Sequence, residues 1–248
     1  MINPFIKKLF ALGTGLFLCG EAQAAETTYT WDFSSAAPVM GGTATGNFTT
    51  SQDPEKGLVL TGSTFDERGT NVFREMLNGA LSGEGTMSIT MDISWGGNNS
   101  LENIIHVARS GNGFSLGLSN GAISINSNGN LSAAGAIPGA RLTANTWTKV
   151  TVDILGHDVT VTLDNGTATS TATASISDID WYTGTADGGD TQNEMYSIGR
   201  RAPGWNNDGL NGTKLSSLSV SYAAVPEPSA AALSLLAFMG FAARRRRK

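Results

Sequence analysis

WTKVTVDILGHDVTVTLDNG, residues 147–166, alternates apolar and polar side chains twice. Val150, Val152 and Ile154 share one face of the first run, and Thr151 and Asp153 share the other. After Gly156-His157 the pattern resumes with Val159, Val161 and Leu163. A period of two is the mark of a half-buried strand, and the interrupting glycine marks a turn. The stretch therefore predicts an antiparallel hairpin, and Asn165-Gly166 begins the next turn.

The same reading extends in both directions. SITMDISW (88–95) places Ile89, Met91, Ile93 and Trp95 on one face. NIIHVARS (103–110), FSLGLS (114–119) and AISINS (122–127) follow, and Asn120-Gly121 joins the last two as a two-residue hairpin turn. Weaker strands fall at 29–34, 57–62, 196–201 and 215–222. Residues 128–146 and 178–194 read as long surface loops. Short strands separated by Gly/Asn turns, without long helical periodicity or repeats, predict one all-β antiparallel sandwich.

Both ends of the chain differ from this middle. Lys7 and Lys8 precede a twelve-residue apolar run (9–20), and Ala22-Gln23-Ala24 is an A-x-A cleavage pattern. Twelve helical residues reach only about 18 Å, too short for a bilayer core of about 30 Å. Residues 1–24 thus read as a Sec-type signal peptide cut after Ala24. The single cysteine, Cys19, lies within it, so the exported chain carries no disulfide.

At the other end, Val225-Pro226-Glu227-Pro228 precedes an apolar run (229–243) and Arg244, Arg245, Arg246, Arg247 and Lys248. This order resembles the PEP-CTERM sorting signal. The resemblance implies a tail (225–248) that sits transiently in the inner membrane through 229–243. An exosortase-type protease would recognise Pro226, Glu227 and Pro228 and remove it. The protein would then reach the cell surface or an extracellular polysaccharide matrix.

The exported portion, 25–224, carries nine Lys and Arg against 19 Asp and Glu, a net charge near −10, whereas the whole chain is at −5. That charge opposes nucleic-acid binding, which needs a positive face for phosphates.

GFSLGLSNGAISIN (113–126), LTANTWTKVTVDI (142–154), VTVTLDNG (159–166) and YSIGRRAPGWNNDGLNGTKLSSLSVSY (196–222) together resemble the laminin-G/concanavalin A-like lectin–glucanase superfamily. The resemblance implies a jelly roll of two curved antiparallel sheets that commonly binds glycans, often near calcium. Ser216 and Ser217 stand where the closing strand often carries acids.

Candidate chemistry is sparse. Gly113-Phe114-Ser115-Leu116-Gly117 matches the G-x-S-x-G hydrolase pattern, but its place in a strand before a hairpin argues for plain strand. No paired-carboxylate strand motif of the glucanases occurs; Asp178 and Asp180 read as a loop pair at a strand end. His106 and His157 are the only histidines, and their spacing does not suit zinc. Asp187, Asp190 and Glu194 share a glycine-containing loop that could offer oxygens to calcium. Trp205, Asn206, Asn207 and Asp208, with Arg200 just before, combine an aromatic ring with planar hydrogen-bonding groups, the chemistry that holds sugars. Packing over the sandwich ends is the alternative for Trp205 and Trp181. The expectation is a non-catalytic glycan-binding module. The alternatives are a structural matrix protein without a discrete ligand and a glucanase-like glycoside hydrolase.

Overall fold

The computed structural model describes residues 26–31, 33, 42–69, 72–107, 112–128, 131–181, 196–200 and 209–225. Glu26–Ala223 forms one compact unit. On either side of it, apart from Ala224 and Val225, the chain lies outside the described residues. So do the expected signal and tail helices and the processing residues Ala24, Pro226, Glu227, Pro228, Arg244, Arg245, Arg246 and Arg247. No helix among the described residues is long and apolar enough to cross a membrane.

The strands run β1 (Glu26–Trp31), β2 (Gly42–Thr45), β3 (Phe48–Asp53), β4 (Gly57–Ser63), β5 (Asp66–Gly69), then helix α1 (Val72–Leu81). They continue as β6 (Gly85–Ser94), β7 (Leu101–Val107), β8 (Phe114–Ser119), β9 (Ala122–Asn126), β10 (Ala136–Arg141), β11 (Trp147–Leu155) and β12 (Asp158–Asp164). The last are β13 (Thr169–Ser175), β14 (Tyr196–Ile198) and β15 (Lys214–Ala224). One sheet has the order β13-β12-β11-β6-β15-β4-β3, with β1 also on β15; the other runs β10-β9-β8-β7-β14-β5-β2. Every pairing with a described register is antiparallel. The molecule is mostly β, and its two sheets form a sandwich.

The opening hairpin is β11–β12, with Val150 opposite Leu163, Val152 opposite Val161 and Ile154 opposite Val159. All these side chains are buried, and they share one hydrophobic core with Met87, Ile89, Met91 and Ile93 of β6. Phe114, Leu116 and Leu118 of β8 and Ile123 of β9 join that core from the other sheet. At the β8–β9 turn Asn120 and Gly121 take φ of 48° and 76°, the left-handed pair a type I′ hairpin requires. A Cβ on Gly121 would lie 2.6 Å from the Trp95 ring, so the turn also seats that tryptophan.

Two expectations change. Residues 128–146 are not one long loop: a 3-10 turn (Ala133–Gly135) leads into β10, which pairs with β9. Pro138 and Gly139 gave β10 the look of a turn. The strand lies at the sheet's edge, where proline is tolerated, and it buries Ile137 and Ala140. The second is α1, whose ten residues are too few to carry long helical periodicity. It buries Phe73, Met76, Leu77 and Ala80, the i, i+3, i+4, i+7 stripe of a helix packed on one side. That stripe closes one end of the sandwich against β6 and β11.

On the first sheet, Lys214 Nζ lies 3.0 Å from Asp53 Oδ2. That ammonium, then the Glu55 N–H, holds the Asp53 carboxyl below its ordinary value of 3.8. A carboxyl lowered in this way stabilises the fold above the ordinary value and loses that contribution as pH falls through the lowered one. Asp53→Asn should therefore unfold at lower urea than wild type at neutral pH, and the gap should close on acidification below 3.8. A gap that persists unchanged in acid would refute the ion pair as its source.

Candidate functional site

The structure separates the sequence candidates. Trp205, Asn206, Asn207 and Asp208 lie outside the described residues, as do Asp187, Asp190 and Glu194. Among the described residues no group of three His, Cys, Asp or Glu is placed to hold a metal ion. Arg200 is described and half-buried, and its carbonyl accepts a hydrogen bond from Ser197 Oγ at 3.3 Å. Ser115 is the second residue of β8, fully buried, and a hairpin follows the strand. The strand reading of G-x-S-x-G therefore holds, and the nucleophile elbow is absent there. Asp178 and Asp180 are exposed beyond the end of β13, in a segment without regular structure. Trp181 packs against the core and donates from Nε1 to Asn78 Oδ1 at 2.8 Å. The Arg74 guanidinium lies 4.9 Å from the Trp181 ring centre. The packing alternative is thus the one Trp181 follows.

The second sheet carries a polar row. Register sets Asp66, Ser197, His106, Ser115 and Asn126 side by side across five strands. Strand alternation puts them on the face opposite Tyr196, Val107 and Phe114. Asp66, Ser197, His106 and Ser115 are all buried, so this row belongs to the packing rather than to an open groove.

An open cleft of about 570 Å³ lies instead beside α1. Its lining comes from three separate parts of the chain: Thr27 of β1, one face of α1 with the turn after it, and Tyr222 of β15. The helix contributes Val72, Glu75, Met76 and Gly79, again spaced i, i+3, i+4, i+7. The helix then ends in a glycine cap. The Glu84 N–H bonds to the Gly79 carbonyl at 3.0 Å and the Gly83 N–H to the Ala80 carbonyl at 3.0 Å, with Gly83 at φ 78°. That is the paired bonding of a Schellman motif. It folds Glu84 back over the last helical turn, so Glu75 and Glu84 line one cleft with Asn78 and Ser82.

Tyr222 continues the inward face of Leu218 and Val220 to the end of β15, opposite Thr27. Its hydroxyl end rests on bare backbone. A Cβ on Gly79 would stand 2.5 Å from the tyrosine oxygen, and one on Gly85 would stand 2.4 Å from it. Both glycines are therefore needed for the ring to lie where it does. Burial, then the Glu84 carboxylate, pushes the Tyr222 phenol above its ordinary value, so it remains a neutral donor. The sequence reading missed this cleft. Its only local signals are Gly79 inside a helical stripe and Gly85 at a strand start.

A second cleft, about 510 Å³, is lined by residues around Asn126, Ser132 and Ser175. Its described lining holds neither a charged side chain nor an aromatic ring.

No protein-family model matches the sequence, and no curated protein matches it. Solved structures do resemble it. Domain 4 of AbnA, a GH43 extracellular arabinanase from Geobacillus stearothermophilus in complex with arabinotriose, aligns at TM-score 0.46 and 13% identity over 85% of this chain and 98% of that one. A protein of unknown function from Shewanella oneidensis MR-1 aligns at 0.40 and 10%, covering 90% and 95%. The binding domain of botulinum neurotoxin DC in complex with SialylT aligns at 0.42 and 10% over 79% of this chain, which spans only 46% of that one. With TM-scores below 0.5, these likenesses assign neither family nor ligand.

Proposed function

We propose that the chain is a non-catalytic glycan-binding module of laminin-G/concanavalin A-like jelly-roll type. In this proposal it is exported through the Sec machinery and released to the cell surface or matrix by an exosortase-type protease. The observation that carries the binding half is the α1 cleft. A tyrosine ring, two carboxylates, an amide and hydroxyls meet in one open space of about 570 Å³. Sugars are held in this way: a ring takes the C–H face while amides and carboxylates take hydroxyls. The volume falls within the ordinary range for small-ligand sites.

The test is a titration of the purified full chain with a panel of polysaccharides and oligosaccharides. Saturable binding that Tyr222→Ala weakens at least tenfold, about 1.4 kcal/mol, is the expected result. Binding lost in Trp205→Ala but kept in Tyr222→Ala would move the site to residues 201–208. A chelator arm tests the calcium expectation at Asp187, Asp190 and Glu194. No binding by a folded sample would remove the glycan reading and favour the matrix-protein alternative.

One observation favours the hydrolase alternative: Glu75 and Glu84 line the same cleft, and glycosidases work with two carboxylates. Release of reducing ends from the panel, abolished by Glu84→Gln, would establish it.

A further inference from the structure

The geometry points to a protonated primary amine on the sugar, as in a 2-amino-2-deoxyhexose, as the group this cleft selects. The inference rests on the glycan reading above and adds the class of sugar.

Among the described residues that line the cleft, Glu75 and Glu84 are the charged ones, and both are negative. Arg74, on the same helix, does not line the cleft; its guanidinium lies over the Trp181 ring. Asn78 Oδ1 already accepts from Trp181, which leaves the Asn78 amide group to donate. Tyr222 presents a neutral phenol. The strong acceptors of the cleft are thus two carboxylates. Both side chains are solvent-exposed, and no cation stands among the described residues that line the cleft. An ammonium group therefore gains charge-assisted hydrogen bonds there that a neutral sugar hydroxyl does not. The field of the exported portion has the same sign: at a net charge near −10, it concentrates cations around the molecule. The sugar body accounts for the rest of the lining, since Val72 and the Tyr222 ring, both partly exposed, offer apolar surface to its C–H face.

The experiment titrates the full chain by calorimetry with a β-1,4-linked glucosamine tetramer and with its fully N-acetylated counterpart. The two share chain length and linkage and differ at nitrogen, a charged ammonium in one and a neutral, bulkier acetamide in the other. The salt dependence and the Glu84→Gln and Glu75→Gln variants separate charge from bulk. The amine-bearing tetramer should bind at least tenfold tighter, and added salt should shrink the difference. Glu84→Gln should remove most of the preference, and Glu75→Gln serves if that variant does not fold. Equal binding of the two tetramers overturns the amine inference and leaves the glycan reading standing. So does a preference that both variants retain. A lysine tetrapeptide that binds as tightly as the glucosamine tetramer also overturns it, because the cleft would then read charge without sugar. Failure of every glycan on the panel overturns the underlying reading instead.

Discussion

Trp31→Ala should lower the unfolding free energy by about 3–5 kcal/mol. Trp31 is 1% exposed and closes β1 onto the core. Its ring meets Tyr196 edge-on at 6.0 Å. Tyr196 in turn lies 6.0 Å from Phe73 of α1 and 6.0 Å from Phe65. Phe65 stacks on Phe48 at 5.0 Å, and Phe73 sits 6.3 Å from Phe114 of β8. The tryptophan is therefore where one sheet reaches the other through aromatic rings. Truncating it loses the transfer free energy of a large side chain and leaves a cavity that flanking strands cannot fill by small shifts. A domain of this kind holds about 5–15 kcal/mol in all, so the variant should be marginal. Urea unfolding measures the change, with Trp31→Phe as the milder control. A loss below about 1 kcal/mol would show that the site collapses freely and that the rings do not act as a unit.

Gly117→Val should cost about 3 kcal/mol, the upper part of the overpacking range. Gly117 lies inside β8, opposite Asn103 on one side and Ser124 on the other. The β7–β8 register slips between Asn103 and Ile105, leaving Ile104 as an extra residue. Next to this bulge the chain comes close. An added Cβ at 117 would stand 2.1 Å from the Glu102 carbonyl oxygen and 2.8 Å from Leu131. The leucine could turn aside, but the carbonyl is backbone. Relief needs β7 to move, and β7 carries Glu102, whose carboxylate accepts the Asn211 N–H at 2.8 Å. Thermal unfolding of Gly117→Ala and Gly117→Val would show a graded loss. A variant within 0.5 kcal/mol of wild type, a surface-like response, would contradict the close approach.

Much of this architecture is written in the strands with large apolar residues. β6, β8, β9, β11 and β12 alternate Ile, Val, Leu, Met or Phe with polar side chains, and they fall where the alternation places them. β13 does not read that way. Its inward residues are only Ala172 and Ala174 among threonines and serines, so there is little contrast between faces. β5 reads as a charged turn, DERG, yet buries Asp66 and Glu67. Helix α1 was missed although Phe73, Met76, Leu77 and Ala80 have helical spacing, because its ten residues and its internal Gly79 hid it among strands. The cleft was not legible. Thr27, Glu75, Glu84 and Tyr222 are unremarkable singly, and only the pairing of β1 with β15 beside α1 brings them together. The sequence candidates in the 187–194 and 205–208 loops drew attention for the opposite reason: their chemistry is dense locally.

The pairing of β1 with β15 has one more consequence. Glu26 stands opposite Ala223, the first of six successive register pairs that end at Trp31 and Leu218. The domain's first strand thus waits for its last. A chain emerging from a ribosome cannot close this sheet until nearly all of it is present, and contacts of such long sequence separation slow folding. The same adjacency lets the molecule be rewired. A short linker from Ala223 to Glu26 could carry new ends at the exposed Asn165-Gly166 turn. Such a circular permutant would keep every strand pair while making the closing hairpin local, and it should refold faster than the natural order.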